Sequence, residues 1–291
     1  MNRDLPIGIF DSGVGGLTVY RALHERLPDE HFVYLGDTAR VPYGTKSLQT
    51  VERYAVENSL FLEAHGIKLL VVACNTASAL ALPAIRKAVS VEVIGVIEPG
   101  AQAAAAASSA QSAEAKSVGV IATEATIRSR AYANAIARLA PSVKVIERAC
   151  PLFVSLAEEG WAETEVARSV AAEYLQEIKA DGVGTLVLGC THYPILRRVI
   201  QETMGDHVRL IDSGEATARD VEQLLAANNL ARETVKKTAR APERHLCDDL
   251  DHFYVTDAAE RFSRVAERFL GSAPSILEAV EVWGHDELRT H

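Results

Sequence analysis

The chain has 291 residues, 48% hydrophobic and 24% charged, an ordinary globular balance with length for about two domains. Thirty Lys and Arg against 39 Asp and Glu leave a net charge of −9, the opposite of the basic face by which nucleic-acid binders are recognised. No apolar run reaches the ~18 residues of a membrane span, residues 1–6 lack the apolar core of an export signal, and four cysteines are too few for a disulfide scaffold, so a cytoplasmic protein with reduced thiols is expected. In chain order, apolar runs at 7–10, 32–35, 69–73, 91–97, 118–122, 143–146, 186–188 and 208–211 read as strands buried on both faces, because aliphatic residues do not alternate with polar ones. The segments between them read as helices. In 163–178, Val166, Val170, Tyr174 and Ile178 fall four apart on one stripe. Asp257-Ala-Ala-Glu260, followed by Phe262, Val265 and Phe269, has the form of a capping box opening a helix. The segment 101–115, with nine alanines, three serines and two glutamines, reads as a solvent-facing helix and loop. Strand–helix alternation throughout predicts an α/β protein with mostly parallel sheets flanked by helices.

Four strands recur in one order. Ile7-Gly-Ile-Phe-Asp-Ser12 lies over Val118-Gly-Val-Ile-Ala-Thr123, and Phe32-Val-Tyr-Leu35 over Val143-Lys-Val-Ile146, both at an offset of 111. Leu70-Val-Val-Ala-Cys-Asn-Thr76 lies over Leu186-Val-Leu-Gly-Cys-Thr-His192 at 116, and Ile94-Gly-Val-Ile-Glu98 over Val208-Arg-Leu-Ile-Asp212 at 114. This predicts two copies of one β-α-β unit, related by a pseudo-twofold axis, with a cleft between them.

Ligands in open α/β sheets sit at the carboxyl ends of strands. There the sequence concentrates small, polar and reactive residues: Asp11-Ser-Gly-Val-Gly-Gly-Leu17, Gly36-Asp-Thr-Ala-Arg-Val-Pro-Tyr-Gly44, Cys74-Asn-Thr-Ala-Ser78, Thr123-Glu-Ala-Thr126 and Gly189-Cys-Thr-His-Tyr-Pro194. Cys74 and Cys190 occupy equivalent places in the two copies. Equivalent thiols on opposite sides of a cleft suit a reaction that removes a proton from one face of a carbon and returns it on the other, as in racemisation or epimerisation. A thiol has an ordinary pKa of about 8.5, and a helix N-terminus lowers it, so it can serve as a base near neutral pH. Asp11 is either a partner for Cys74 or a helix cap. His192 is either a partner for Cys190 or a structural histidine, and Glu158 either orients His192 or is a solvated helix residue. Asp37 reads as a turn residue and Arg40 as a solvated loop charge. Ser12, Tyr43, Gly44, Asn75, Thr76, Thr123, Thr126 and Thr191, with backbone N–H groups at helix starts, form candidate anion sites without a full positive charge. Gly13, Gly15 and Gly16 serve either close backbone approach or a tight turn. Cys150 and Cys247 have no symmetric counterpart and read as structural.

These motifs, from residue 7 to 213 and in order, resemble the glutamate racemase family of bacteria, and Gly95-Val-Ile-Glu-Pro99 and Phe253-Tyr-Val-Thr extend the likeness. The resemblance implies cofactor-independent interconversion of L- and D-glutamate, supplying D-glutamate for peptidoglycan. It implies Cys74 and Cys190 as the two proton donors and acceptors, assisted by Asp11 and His192, with Glu158 near His192. It implies substrate contacts at Asp11, Ser12, Tyr43, Gly44, Asn75, Thr76, Thr191 and His192, and further at Thr123 and Thr126. Family members have two α/β domains with the site between them and are commonly homodimers. By this likeness the first domain comprises 1–97 plus 208–291, and the second 98–207. Ser155 stands where the family often has Pro.

The rivals are an aspartate racemase and a metal-binding protein using Cys74, Cys190, His192 and Asp11. The second lacks Cys-x-x-Cys spacing, and no metal is expected. A nucleotide-binding reading of residues 11–16 matches neither Gly-x-Gly-x-x-Gly nor a P-loop. No lysine lies in the motifs to form a Schiff base with pyridoxal phosphate.

Overall fold

The computed structural model describes residues 2–110, 117–233 and 244–283. Residues 111–115 of the alanine-rich segment lie outside them. The strands are β1 (Ile7–Asp11), β2 (Phe32–Gly36), β3 (Leu69–Val72), β4 (Glu92–Gly95), β5 (Ser117–Ala122), β6 (Lys144–Ala149), β7 (Thr185–Gly189), β8 (Arg209–Asp212), β9 (His252–Val255) and β10 (Leu277–Ala279). The helices are α1 (Leu17–Arg26), α2 (Leu48–Ala64), α3 (Asn75–Leu80), α4 (Leu82–Ala88), α5 (Ile97–Ser109), α6 (Glu124–Ser129), α7 (Ala131–Leu139), α8 (Leu152–Glu158), α9 (Glu165–Ala180), α10 (Arg197–Met204), α11 (Ser213–Ala227) and α12 (Ala259–Leu270). Two 3₁₀ turns lie at Tyr43–Thr45 and Tyr193–Leu196.

The strands form two parallel sheets, a six-stranded one of order β10-β9-β2-β1-β3-β4 and a four-stranded one of order β6-β5-β7-β8. All eight apolar runs are strands. The central ones, β1, β3, β5 and β7, are buried at every residue, which is why they carry no polar alternation. The order β2-β1-β3-β4 repeats as β6-β5-β7-β8. Within that repeat the register differs from the sequence alignment. Ile7 faces Phe32 where Val118 faces Val145, and Leu69 faces Glu92 where Thr185 faces Arg209. The second and fourth strands therefore match at offsets of 113 and 117, because apolar strands slide over each other in sequence without penalty and only ladder hydrogen bonds fix them. The offset of 111 for the first strand and 116 for the third holds.

Four local readings change. The strand at residue 208 does not return the chain to the first sheet: β8 pairs with β7, so a boundary between 207 and 208 would separate paired strands. The crossing back comes after β8, through α11, which packs on α1. α5 is not a solvent-facing connector, since Ala101, Ala104 and Ala107 are buried against the four-stranded half. In α9 the buried stripe is Ala167, Ala171, Leu175 and Ile178, one position on from the expected one, and Val166 is exposed. The capping box does not form either: α12 starts from Ala258 in a left-handed conformation, whose N–H donates to Asp257 Oδ1 at 2.7 Å. One continuous core joins the halves, holding Ile9 and Val71 of the first sheet with Ile121 and Leu188 of the second.

Candidate active site

Loops from the carboxyl ends of both sheets open on one small cavity of about 60 Å³. Ser12 and Gly13 follow β1, residues 41–44 follow β2, Cys74, Asn75 and Thr76 follow β3, Thr123 follows β5, and Cys190, Thr191 and His192 follow β7. Val154 and Glu158 reach it from α8. Asp11 and Thr126 do not line the cavity but stand directly behind it. Val41, Pro42 and Val154 are lining residues that motif reading passed over, since apolar residues among polar ones gave no separate signal.

The two cysteines stand at the same register. Phe10 faces Val72 on β3, and Ile121 faces Leu188 on β7; in each half the cysteine lies two residues past the second of these. Both are buried free thiols. Cys74 caps the short helix α3, accepting from the Ala77 N–H at 3.5 Å, and its thiol donates to Ser12 Oγ at 3.4 Å. Burial, and then the neighbouring Asp11 carboxyl, push the Cys74 thiol up to about 12. A thiol in that environment holds its proton at neutral pH. Asp11 is wholly buried. Its Oδ2 accepts from the Gly13 N–H at 2.9 Å, while Oδ1 has no hydrogen-bond partner among the described residues. Burial raises its pKa against the opposing His192 charge and the N–H groups of Gly16, Gly13 and Ser12. A carboxyl buried with one oxygen unpaired is costly, and this one neighbours the Cys74 thiol. It is not a helix cap, because α1 begins at Gly16 without a side-chain cap.

On the other side, Cys190 Sγ lies 3.7 Å from His192 Nδ1, and His192 Nε2 lies 3.0 Å from Glu158 Oε1. Burial alone would strip the imidazole of its proton, but hydrogen bonds to Cys190 and Glu158 raise it to about 10. Glu158 is held below the usual carboxylate range: burial opposes this, and the His192 hydrogen bond and charge, then Arg261, outweigh it. The result is a hydrogen-bonded relay from Cys190 through a protonated His192 to the Glu158 carboxylate.

The hydroxyls form a second constellation. Thr76 Oγ1 lies 2.9 Å from Thr123 Oγ1 and 3.3 Å from Thr126 Oγ1, so α3 of one half meets α6 of the other. Asn75 Nδ2 donates to the Tyr132 hydroxyl at 2.8 Å. Thr18 Oγ1 donates to the Thr191 carbonyl at 2.8 Å. Gly15 and Gly44 permit this approach: a Cβ on Gly15 would stand 2.3 Å from Thr191 Oγ1, and one on Gly44 2.9 Å from Thr123 Cβ. The Tyr43 hydroxyl is turned away from Thr123 and donates to Asp37. Asp37 also accepts from Asn58 Nδ2 at 3.1 Å, Thr256 Oγ1 at 2.9 Å and Arg40 Nε at 2.8 Å. Arg40 is therefore no solvated loop charge. Its side chain is 11% exposed, pairs with Glu57, and lies 4.1 Å over the Tyr54 ring. This knot braces the cavity-lining loop 41–44 from behind. Among the described residues no group of three His, Cys, Asp or Glu side chains is placed to hold a metal ion, and no helix is long and apolar enough to cross a membrane.

A profile of the Asp/Glu/hydantoin racemase family matches residues 7–221. A glutamate racemase of Geobacter metallireducens is 54% identical over 91% of this chain and 92% of its own length. One from Neisseria meningitidis serogroup B is 44% identical over 97% and 98%. Among solved structures, a glutamate racemase isoform of Bacillus anthracis superposes with a TM-score of 0.86 at 34% identity, covering 96% of this chain and 98% of that one. The Francisella tularensis glutamate racemase in complex with D-glutamate gives 0.84 at 38%, with the same coverage. An aspartate racemase of Picrophilus torridus, 18% identical with a TM-score of 0.53, shares the fold.

Proposed function

The chain belongs to the Asp/Glu/hydantoin racemase family and is an amino-acid racemase, and from that premise we propose that it interconverts L- and D-glutamate by passing a proton at Cα between Cys74 and Cys190, without a cofactor. The reading rests on one observation: two thiols at the same register of two repeated sheets line a single cavity. One cysteine, as thiolate, takes the Cα proton and becomes a thiol. The electron pair left on Cα spreads into the α-carboxylate. The other cysteine, as thiol, gives its proton to the opposite face and is left as thiolate, poised for the reverse reaction. The cleft thus carries one proton between two sulfurs. His192, held protonated by Glu158, stands 3.7 Å from Cys190 Sγ to offset the negative charge that proton transfer leaves on that sulfur, and the buried, protonated Cys74 is the complementary donor. Asp11 lies beside Cys74 to exchange or orient its proton. Hydroxyls of Ser12, Thr76, Thr123 and Thr191, the Asn75 amide and the backbone N–H groups of residues 43 and 44 supply donors for two substrate carboxylates, with Thr126 bracing Thr76 and Thr123 from behind, which lets a protein of charge −9 hold an acidic ligand. We further propose, by analogy with the family, that its product feeds peptidoglycan synthesis, that it works in the cytoplasm, and that its working form is a homodimer, which sedimentation will test.

In deuterated water each enantiomer should gain solvent deuterium at Cα as it becomes its mirror image. Cys74→Ser and Cys190→Ser should each lower racemisation by at least about a thousandfold, since a hydroxyl is a far poorer base than a thiolate and acid–base groups contribute about 10²–10⁴. Wild-type turnover in either serine variant would overturn the two-thiol assignment. Faster turnover of aspartate than glutamate would overturn the substrate, a distinction of one methylene worth only about 1–3 kcal/mol in a pocket.

A further inference from the structure

Glu158 is gripped from both halves of the molecule. Its Oε1 meets His192 Nε2 at 3.0 Å, and its Oε2 accepts from Arg261 Nη2, also at 3.0 Å. Arg261 lies on α12, which packs against α1 and β10 of the six-stranded half. Glu158 ends α8, which packs on the turn just after β7 in the four-stranded half. A second α12 side chain, Arg268, donates to the Glu158 backbone carbonyl at 2.7 Å. α12 therefore holds this residue by side chain and by main chain at once.

We propose that Arg261 is a positioning residue for the racemisation: by fixing Oε2 of Glu158 across the boundary between the halves, it aims Oε1 at His192 and so sets the imidazole against Cys190. This rests on the reading that His192 and Cys190 act together in proton transfer. A carboxylate held by one oxygen turns freely about its terminal bond, where the torsional wells are broad. A guanidinium on the other oxygen fixes its plane through a charge-assisted hydrogen bond. The charged groups around Glu158 and Arg261 are His192, Arg268 and Glu159, the last 3.7 Å from Arg261. The Arg261 side chain is 55% exposed, so its pairing adds little to global stability. Its signature belongs in the rate. Because donor and acceptor come from different halves, the alignment of Cys190 with its partner also depends on those halves being closed.

The test compares Arg261→Met, Arg261→Lys, Glu158→Gln and the double variant Glu158→Gln/Arg261→Met in full-length enzyme with glutamate. Arg261→Met should melt within a degree or two of wild type and lower kcat about tenfold with KM changed by less than about threefold, the size expected for losing one charge-assisted contact to a proton-transfer partner. Arg261→Lys should restore most of the rate. Without the guanidinium charge, Glu158 takes up a proton at higher pH, so the acid limb of kcat/KM in Arg261→Met should move upward. In the Glu158→Gln background the Arg261 substitution should add nothing. A slow Glu158→Gln beside an Arg261→Met of wild-type kcat and unshifted limb would overturn the Arg261 role alone, as would strictly multiplicative losses in the double variant. A Glu158→Gln enzyme of wild-type rate would instead remove Glu158 from the proposed mechanism and this inference with it.

Discussion

His192 carries a proton because two acidic partners outweigh its burial, and the balance has a measurable consequence. Its folded pKa of about 10 lies above the unfolded value of about 6.5. A group raised in this way contributes stability that is fully present below the unfolded value and is lost as pH climbs through the folded one. Urea unfolding at pH 6, 8 and 10 should therefore show wild-type stability falling over that window, and His192→Asn should fall less steeply. Parallel curves would show that folding leaves the His192 pKa unshifted. The same residue illustrates what sequence can and cannot reveal at this scale. Cys74 and Cys190 were legible because a repeat marks equivalent positions, and His192 because it stands two residues from one of them. Arg40 was not: its partners Glu57, Asn58 and Tyr54 come from α2, and only tertiary packing turns a loop charge into a buried brace.

Secondary structure was legible where burial is two-sided. The runs that became β1, β3, β5 and β7 leave no polar position, so any reading of them as surface fails. β10 escaped because three residues, two of them exposed, give no pattern to read, and β9 because His252 interrupts its apolar run at the start. α5 misled for a different reason. Alanine is compatible with solvent and with close packing, and nothing in an alanine run distinguishes them. Its neighbours decide: Ala104 is wholly buried against Val118, Val187 and Tyr132 in one cluster, whereas Ala106 is exposed. Ala104→Leu forces extra methylenes into a filled core and should cost about 1–3 kcal/mol. Ala106→Leu should stay within about 0.5 kcal/mol of wild type. Denaturant midpoints for the two variants will separate them, and equal midpoints would mean that α5 is not packed face-down on the second sheet.

At the scale of the whole molecule, the halves are joined around the cavity. Asn75 at the start of α3 donates to the Tyr132 hydroxyl on α7, which lies 2.7 Å from Ser213 Oγ at the start of α11, and Ser213 in turn donates to the Leu188 carbonyl on β7 at 3.2 Å. This chain runs from one sheet to the other beside the cavity, with Asn75 at one end and Leu188, two residues before Cys190, at the other. Tyr132→Phe removes the central hydroxyl and leaves the buried Asn75 amide and Ser213 hydroxyl short of a partner. The unpaired groups should cost about 1–3 kcal/mol of stability, read by urea unfolding, and should loosen the cavity-lining amide enough to lower kcat/KM. How that loss divides between directions is fixed by symmetry. L- and D-glutamate have equal free energies, so the equilibrium constant is one and kcat/KM must be the same in both directions for any variant. The substitution should therefore lower L-to-D and D-to-L kcat/KM by one common factor, followed by polarimetry or circular dichroism, even where kcat and KM individually diverge. An unchanged kcat/KM with lowered stability would show that the Tyr132 bridge ties the halves together without holding Asn75 for substrate.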